Sequence, residues 1–262
     1  MNYDYNGILV PTNYDATVRA VNHRGYNTVA PENTLPAFKL SKQMGFQWVE
    51  TDVQFTSDGV AVCLHDRSIA RTSNGTGNID QMTWETVQTY DFGSWKSSAY
   101  TGTKLPSFEQ FLALCKNLGL YPYVELKNDV TYTEAQIQSV VDMVRAYGLE
   151  KVVTYISFSS TYLGYIKSYD ASARLGFLKS VASSSDISTL QSLKLSTNEV
   201  YYGTKYSSLS SAICEAFADA KIPIEIWTVD TTSDITSMNP YITGVTSNYL
   251  IAGKVLYEAN IT

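Results

Sequence analysis

A closed α/β barrel is the fold class this sequence predicts, and three observations carry the prediction. Short apolar runs alternate about eight times with longer segments of helical period, the pattern of a parallel sheet wrapped by helices. The chain has 262 residues with no linker and no break in composition. Single (β/α)8 barrels, or TIM barrels, run to roughly 250 residues. No glycine-rich phosphate loop of the dinucleotide or P-loop type follows any of the strands, which weakens a nucleotide-cofactor reading. A doubly wound open sheet is the second architecture that fits the alternation.

The elements follow in order. Residues 19–22 read as the first strand, and 32–44 as a helix whose Pro36 fits only a first turn. Residues 48–55 and 60–64 read as two strands joined by the turn signal Ser57-Asp58-Gly59. A polar insertion at about 71–106 contains Gly75, Gly77, Gly93 and Gly102, with one short helix near 84–89. A helix at 108–118 ends at Gly119, and a strand follows at 121–126. The amphipathic helix 133–147 stops at Gly148, before a strand at 151–157. Residues 159–168 read as helix, 174–178 as strand, 186–193 as helix and 199–202 as strand. The helix 209–220 and the β-branched, aromatic strand 222–229 come next. A short helix at 233–238, a strand at 242–246 and a helix at 250–259 complete the pattern. Residues 1–18 form an Asn/Tyr-rich extension, and 19–262 a single domain.

Composition excludes some functions. The net charge is −6 with no dense Lys/Arg run, so a nucleic-acid binder is not expected. Charged residues make up 17%, below the usual share of about a quarter; Ser, Thr, Asn and Tyr take their place. No stretch approaches the roughly 18 apolar residues of a membrane span. Nor does a leader-like segment open the chain, which taken literally reads as cytoplasmic; a processed chain or excised domain would be compatible with an extracellular site. Cys63, Cys115 and Cys214 lie in apolar stretches without CxxC spacing and read as buried free thiols.

The chemistry gathers where barrel enzymes place it, at the C-terminal ends of strands. The chain has only two histidines, His23 and His65, and each sits in a charged motif. Histidine's unperturbed pKa lies nearest neutrality, which suits it to moving protons. Glu50 and Asp52, two apart on one strand, point to one face, as do Glu125 and Lys127 on another. Three carboxylates at one barrel mouth would repel one another without a cation. Their all-oxygen chemistry suits a hard ion, Mg2+ or Ca2+. Taken alone, each pair reads equally well as a barrel-mouth ion pair.

An ordered series of motifs then narrows the reading. It begins with His23-Arg24-Gly25, Ala30-Pro31-Glu32-Asn33-Thr34-Leu35, Val49-Glu50-Thr51-Asp52-Val53 and His65-Asp66. It continues through Arg71-Thr72-Ser73-Asn74-Gly75, Leu105-Pro106-Ser107-Phe108, Val124-Glu125-Leu126-Lys127 and Ile226-Trp227-Thr228-Val229. This series resembles the glycerophosphodiester phosphodiesterase family over about residues 23–252. The resemblance implies a metal-dependent barrel hydrolase that releases sn-glycerol 3-phosphate and an alcohol from a small phosphodiester. It implies His23 and His65 as the acid/base pair, Glu50, Asp52 and Glu125 as metal ligands, and Arg24 and Lys127 as phosphate-binding cations. Glu32 is implied to orient the Arg24 region, and Trp227 to wall the pocket, although Trp227 also fits an ordinary barrel core. Lysophospholipid or a teichoic-acid-type polymer is the alternative substrate, and a non-catalytic binding module of the same fold is a third reading. Thr246-Ser247-Asn248 departs from the family's frequent Thr-Asp pair and leaves the role of that Asp in doubt.

Overall fold

The computed structural model describes residues 2–3, 9–10, 19–230 and 241–248. Two short strands, β1 (Asn2–Tyr3) and β2 (Leu9–Val10), pair antiparallel. The expected helices at 233–238 and 250–259 lie outside the described residues.

The barrel begins with β3 (Arg19–Asn22) and β4 (Trp48–Phe55), with α1 (Leu35–Gln43) between them. α1 starts three residues later than the periodicity predicts. Asn33 takes a left-handed φ of 54°, which breaks helical continuity, and the Thr34 hydroxyl caps the helix by accepting from the Ala37 N–H. β5 (Ala61–Cys63) returns antiparallel on β4, pairing Val53 with Cys63. The turn between them is pinned by Asp58, whose Oδ1 accepts from the Thr56 hydroxyl at 2.6 Å and from the Trp84 N–H at 2.9 Å. That second bond ties the hairpin to α2 (Trp84–Val87), the short helix of the insertion. The insertion shares a small core with the end of the hairpin: Val62, Leu64, Ile69, Ile79, Val87, Phe92 and Leu105.

Then come α3 (Phe108–Leu118), β6 (Tyr121–Leu126), α4 (Glu134–Ala146), β7 (Thr154–Ser157) and α5 (Ser160–Tyr169). α3 and α4 both open with a capping box, Ser107 with Gln110 and Thr133 with Gln136. β7 is shorter than expected because the N–H groups of Val152 and Val153 both turn back to the Leu149 carbonyl. β8 (Arg174–Lys179), α6 (Ile187–Leu193), β9 (Val200–Lys205), α7 (Ser211–Asp219), β10 (Ile224–Trp227) and β11 (Ile242–Ser247) follow. β11 pairs with β3 in parallel, Gly244 opposite Arg19 and Ser247 opposite Asn22. The eight parallel strands therefore close into a ring, β3-β4-β6-β7-β8-β9-β10-β11. Closure excludes the open sheet and confirms the barrel.

The main core lies between the strands and the surrounding helices; Val53, Val124, Leu163 and Phe217 are among its fully buried members. Inside the ring, Val21, Tyr123, Ile156, Leu178 and Tyr201 form a second layer. Glycine makes room for it at Gly176, where an added Cβ would collide with the Tyr201 ring. All three cysteines are free and buried, as expected. Among the described residues, no helix is long and apolar enough to cross a membrane.

Candidate active site

Strand register brings the carboxylates together. β4 pairs with β6 so that Asp52 lies directly opposite Glu125, and Glu50 sits two residues earlier on the same face. One oxygen from each of Glu50, Asp52 and Glu125 lies within 4.8 Å of the others, and all three residues are buried. Lys127 Nζ stands 3.3 Å from Asp52 Oδ1 and 3.0 Å from Glu125 Oε1. Arg24 contributes twice, its backbone N–H donating to Glu50 Oε2 at 2.8 Å and its Nε lying 3.5 Å from Asp52 Oδ2.

Two cations do not satisfy the cluster. Glu50 Oε1, Asp52 Oδ1 and Glu125 Oε1 are buried yet make no hydrogen bond; the ammonium near the last two approaches without hydrogen-bond geometry. Burial and the neighbouring Asp52 and Glu125 push the Glu50 carboxyl well above its usual range. Burial and Asp52 push Glu125 up to about 7. For Asp52 burial works in the same direction, but Lys127 and Arg24 outweigh it and hold the group below the usual carboxylate range. Orphaned oxygen donors with no nitrogen or sulfur among them fit a hard divalent cation.

Both histidines reach the same cavity, of about 220 Å3. Its charged and titratable lining is His23, Arg24, Glu50, His65, Glu125, Lys127 and Glu225. Its apolar lining includes Ile156, Phe158, Leu178, Ile226 and Trp227. Phe158 and Trp227 meet edge to face with centroids 5.6 Å apart, and the Trp227 Nε1–H has no partner. Burial, reinforced by the Arg24 charge, lowers His23 to about 4, which keeps its imidazole neutral at pH 7.

Glu32 is absent from the cavity wall. It accepts from Arg24 Nη1 at 3.0 Å and takes both Nη groups of Arg71 at 2.8 Å each, so it braces two arginines. Several contributors were missed by sequence reasoning. Arg71 Nε also reaches Asp66 Oδ2 at 2.5 Å, and Asp66 Oδ1 faces His65 Nδ1 at 2.6 Å, so the insertion is wired to a histidine. Asn33 donates to Asp52 Oδ2 at 2.9 Å and accepts from the Thr51 hydroxyl. Asn248, flagged only as a departure, places its Oδ1 2.9 Å from His23 Nδ1. The adjacency of Asp66 to His65 was a usable signal for the first of these contacts. Nothing local in the sequence announces Asn33 or Asn248, whose partners are 19 and 225 residues away.

Fold and site together define an α/β barrel whose cavity gathers two histidines, Arg24, Lys127 and buried carboxylates that could hold a metal ion. Residues 23–250 match the glycerophosphoryl diester phosphodiesterase family, and the chain belongs to it. The Bacillus subtilis protein YhdW is 42% identical over 106 residues, which cover 40% of this chain and 43% of YhdW. The chain spans about half the length of the curated relatives it matches; a Caldanaerobacter subterraneus glycerophosphodiester phosphodiesterase is matched over 56% of its length. A glycerophosphodiester phosphodiesterase structure from Agrobacterium tumefaciens superposes with a TM-score of 0.74 at 25% identity, covering 90% of this chain and 99% of that one. An Oleispira antarctica phosphodiesterase, solved with the product sn-glycerol-3-phosphate, superposes at 0.79 with 22% identity, covering 93% and 97%.

Proposed function

We propose that this chain hydrolyses small glycerophosphodiesters to sn-glycerol 3-phosphate and an alcohol, with one divalent cation, Mg2+ or Ca2+, held by Glu50, Asp52 and Glu125. The observation that carries the reading is the convergence of both histidines, Arg24, Lys127, Glu50 and Glu125 on one cavity, with a buried oxygen of Asp52 within 4.8 Å of oxygens of the two glutamates. When bound, the cation supplies positive charge where the phosphoryl oxygens gain negative charge.

The protein's own groups do the rest. A phosphodiester is an anion, so a nucleophile must approach negative charge. Arg24 and Lys127 offset that charge at the cavity wall. One histidine takes the proton of the attacking water or hydroxyl, and the other gives a proton to the departing alkoxide. Each transfer is typically worth about 10²–10⁴-fold. Glu32 holds Arg24 in place, and Trp227 offers an N–H and an apolar face to the substrate.

The apolar wall favours a second substrate class in the same reaction. Phe158, Leu178 and Trp227 would receive an alkyl chain better than a small polar alcohol, which points to lysophospholipid. Assay of His23→Ala and His65→Ala on glycerophosphocholine and on lysophosphatidylcholine, each with Mg2+ and with Ca2+, tests both readings. Both variants are expected to lose release of glycerol 3-phosphate from glycerophosphocholine and of lysophosphatidate from lysophosphatidylcholine; full activity in either variant removes that histidine from the mechanism.

A further inference from the structure

We propose that Asp230, acting through Asn248, is a positioning residue that fixes His23 as its Nδ1–H tautomer and presents the Nε2 lone pair to the cavity as the proton acceptor. This rests on the phosphodiester reading above. The relay runs across three neighbouring strand ends: Asp230 follows β10, Asn248 follows β11 and His23 follows β3.

Its polarity is fixed from one end. An ionised carboxylate only accepts. Asp230 Oδ2 therefore faces the amide nitrogen of Asn248, Nδ2, at 2.7 Å. Asp230 Oδ1 is held by the Asn248 backbone N–H at 2.7 Å and the Ser247 hydroxyl at 3.0 Å. With Nδ2 committed, Asn248 must turn its oxygen to Asn27 Nδ2, at 2.5 Å, and to His23 Nδ1, at 2.9 Å. The amide of Asn27 is oriented independently, because its Nδ2 also donates to the His23 carbonyl at 2.7 Å. A carbonyl oxygen can bond His23 Nδ1 only if that nitrogen carries hydrogen. In the neutral ring, Nε2 is then the bare nitrogen. It lies 4.0 Å from Glu50 Oε2.

His65 has a different partner. Its Nδ1 faces a carboxylate, Asp66, rather than an amide. A carboxylate in that position stabilises the imidazolium; a neutral amide sets the tautomer without adding charge. The pair of partners thus separates the two histidines, with His23 as acceptor and His65 as donor.

Only two histidines are present, so nitrogen NMR can read the tautomer directly. The probe is 15N-histidine-labelled His65→Gln protein with Mg2+ at about pH 9, well above the ordinary imidazole range near 6.5. The expected spectrum shows a protonated Nδ1 and an unprotonated Nε2 for His23; the opposite tautomer overturns the proposal. Asp230→Asn should let the Asn248 amide invert, switch the tautomer and lower kcat about 10–100-fold with little change in KM. Adding Asn248→Asp to Asp230→Asn restores an oxygen facing His23 and should recover kcat. A double variant no better than the single one also overturns the relay. Should Asp230→Asn fail to fold by circular dichroism, the His65→Gln spectrum still decides. Absence of phosphodiester hydrolysis by the native protein removes the functional reading, whereas the spectrum judges the relay alone.

Discussion

Two charge clusters stand at the two ends of the barrel strands, and they are built on different principles, although Glu225 of the lower one also lines the cavity and its Glu199 is exposed. At the floor, Arg174 Nη2 meets Glu225 Oε1 at 2.6 Å, and Arg174 Nε meets Glu199 Oε2 at 2.7 Å. Arg19 reaches the same two glutamates at 3.5 and 3.7 Å. Tyr123 accepts from Arg174 Nη1 at 2.8 Å and donates to Glu225 at 3.2 Å, while the Tyr201 ring stacks 4.4 Å from the guanidinium. Two cations face two anions, and none of these residues has an orphaned buried polar atom. At the mouth, three carboxylates face Lys127 and Arg24, and one oxygen on each carboxylate lacks a hydrogen bond. A buried polar network that only supports the fold is completed within the protein. The incomplete one is where the proposed cation would complete the network.

The floor gives the largest expected effect. Glu225→Gln removes one partner of a buried ion pair and leaves the Arg174 guanidinium short of charge. Breaking such pairs costs about 3–5 kcal/mol. Urea denaturation should show a markedly lower midpoint with an unchanged slope. A midpoint within error of the native protein would make the floor network energetically idle and the contrast empty.

The mouth should respond in the opposite sense. Asp52→Asn and Glu125→Gln each remove a proposed cation ligand and should lower kcat/KM about 10²–10³-fold, near 2.7–4 kcal/mol of transition-state stabilisation. Metal-free Glu125→Gln, in contrast, should melt at or above the temperature of the metal-free native protein, because it relieves like-charge repulsion. Thermal melts in EDTA decide this. A strongly destabilised Glu125→Gln would make the triad a structural ion cluster like the floor.

The floor and the mouth were not equally legible in the sequence. Glu50, Asp52, Glu125 and Lys127 stand at i and i+2 on strands, so period-2 alternation places them on one face, and the motif series orders them. The barrel followed from alternation; the start of α1 moved through the left-handed Asn33 and that of β7 through the turn at Leu149, while β9 runs longer and α7 and β10 shorter than expected. The floor was invisible. Arg19 and Arg174 open their strands and Glu225 is second in its own, 51 to 206 residues apart, and nothing local distinguishes them from exposed strand-end charges. Likewise Asn248 meets His23 only because β11 closes on β3. Closure is a long-range fact, and single-sequence periodicity does not encode register across it.

The pH dependence sharpens the contrast. Glu125 is raised to about 7 and Glu50 is raised as well, so between about pH 4.5 and 7 the folded metal-free protein holds more protons than the unfolded chain. Their contribution to stability is complete below the unfolded carboxylate range near 4.3 and is lost as pH rises through 7. Metal-free protein should therefore lose on the order of 1–3 kcal/mol across that window. With excess Mg2+ or Ca2+ the trend should reverse, since the cation binds the ionised carboxylates and displaces their protons. Melts at pH 5 and 8, with and without metal, measure it. Parallel slopes in both series would mean that the triad does not bind the ion.

Trp227 provides the smallest effect and tests whether the mouth's incompleteness extends beyond the carboxylates. Its Nε1–H is buried and unpartnered, and the residue lines the cavity. Leaving a donor unpaired is costly unless a ligand completes it. Trp227→Phe keeps an aromatic face against Phe158 and deletes only the donor. A net hydrogen bond is worth about 0.5–1.5 kcal/mol, so KM should rise about 2–10-fold while kcat holds. A fall in kcat with KM unchanged would place that N–H at the developing charge of the transition state instead, making Trp227 part of the chemistry rather than of binding.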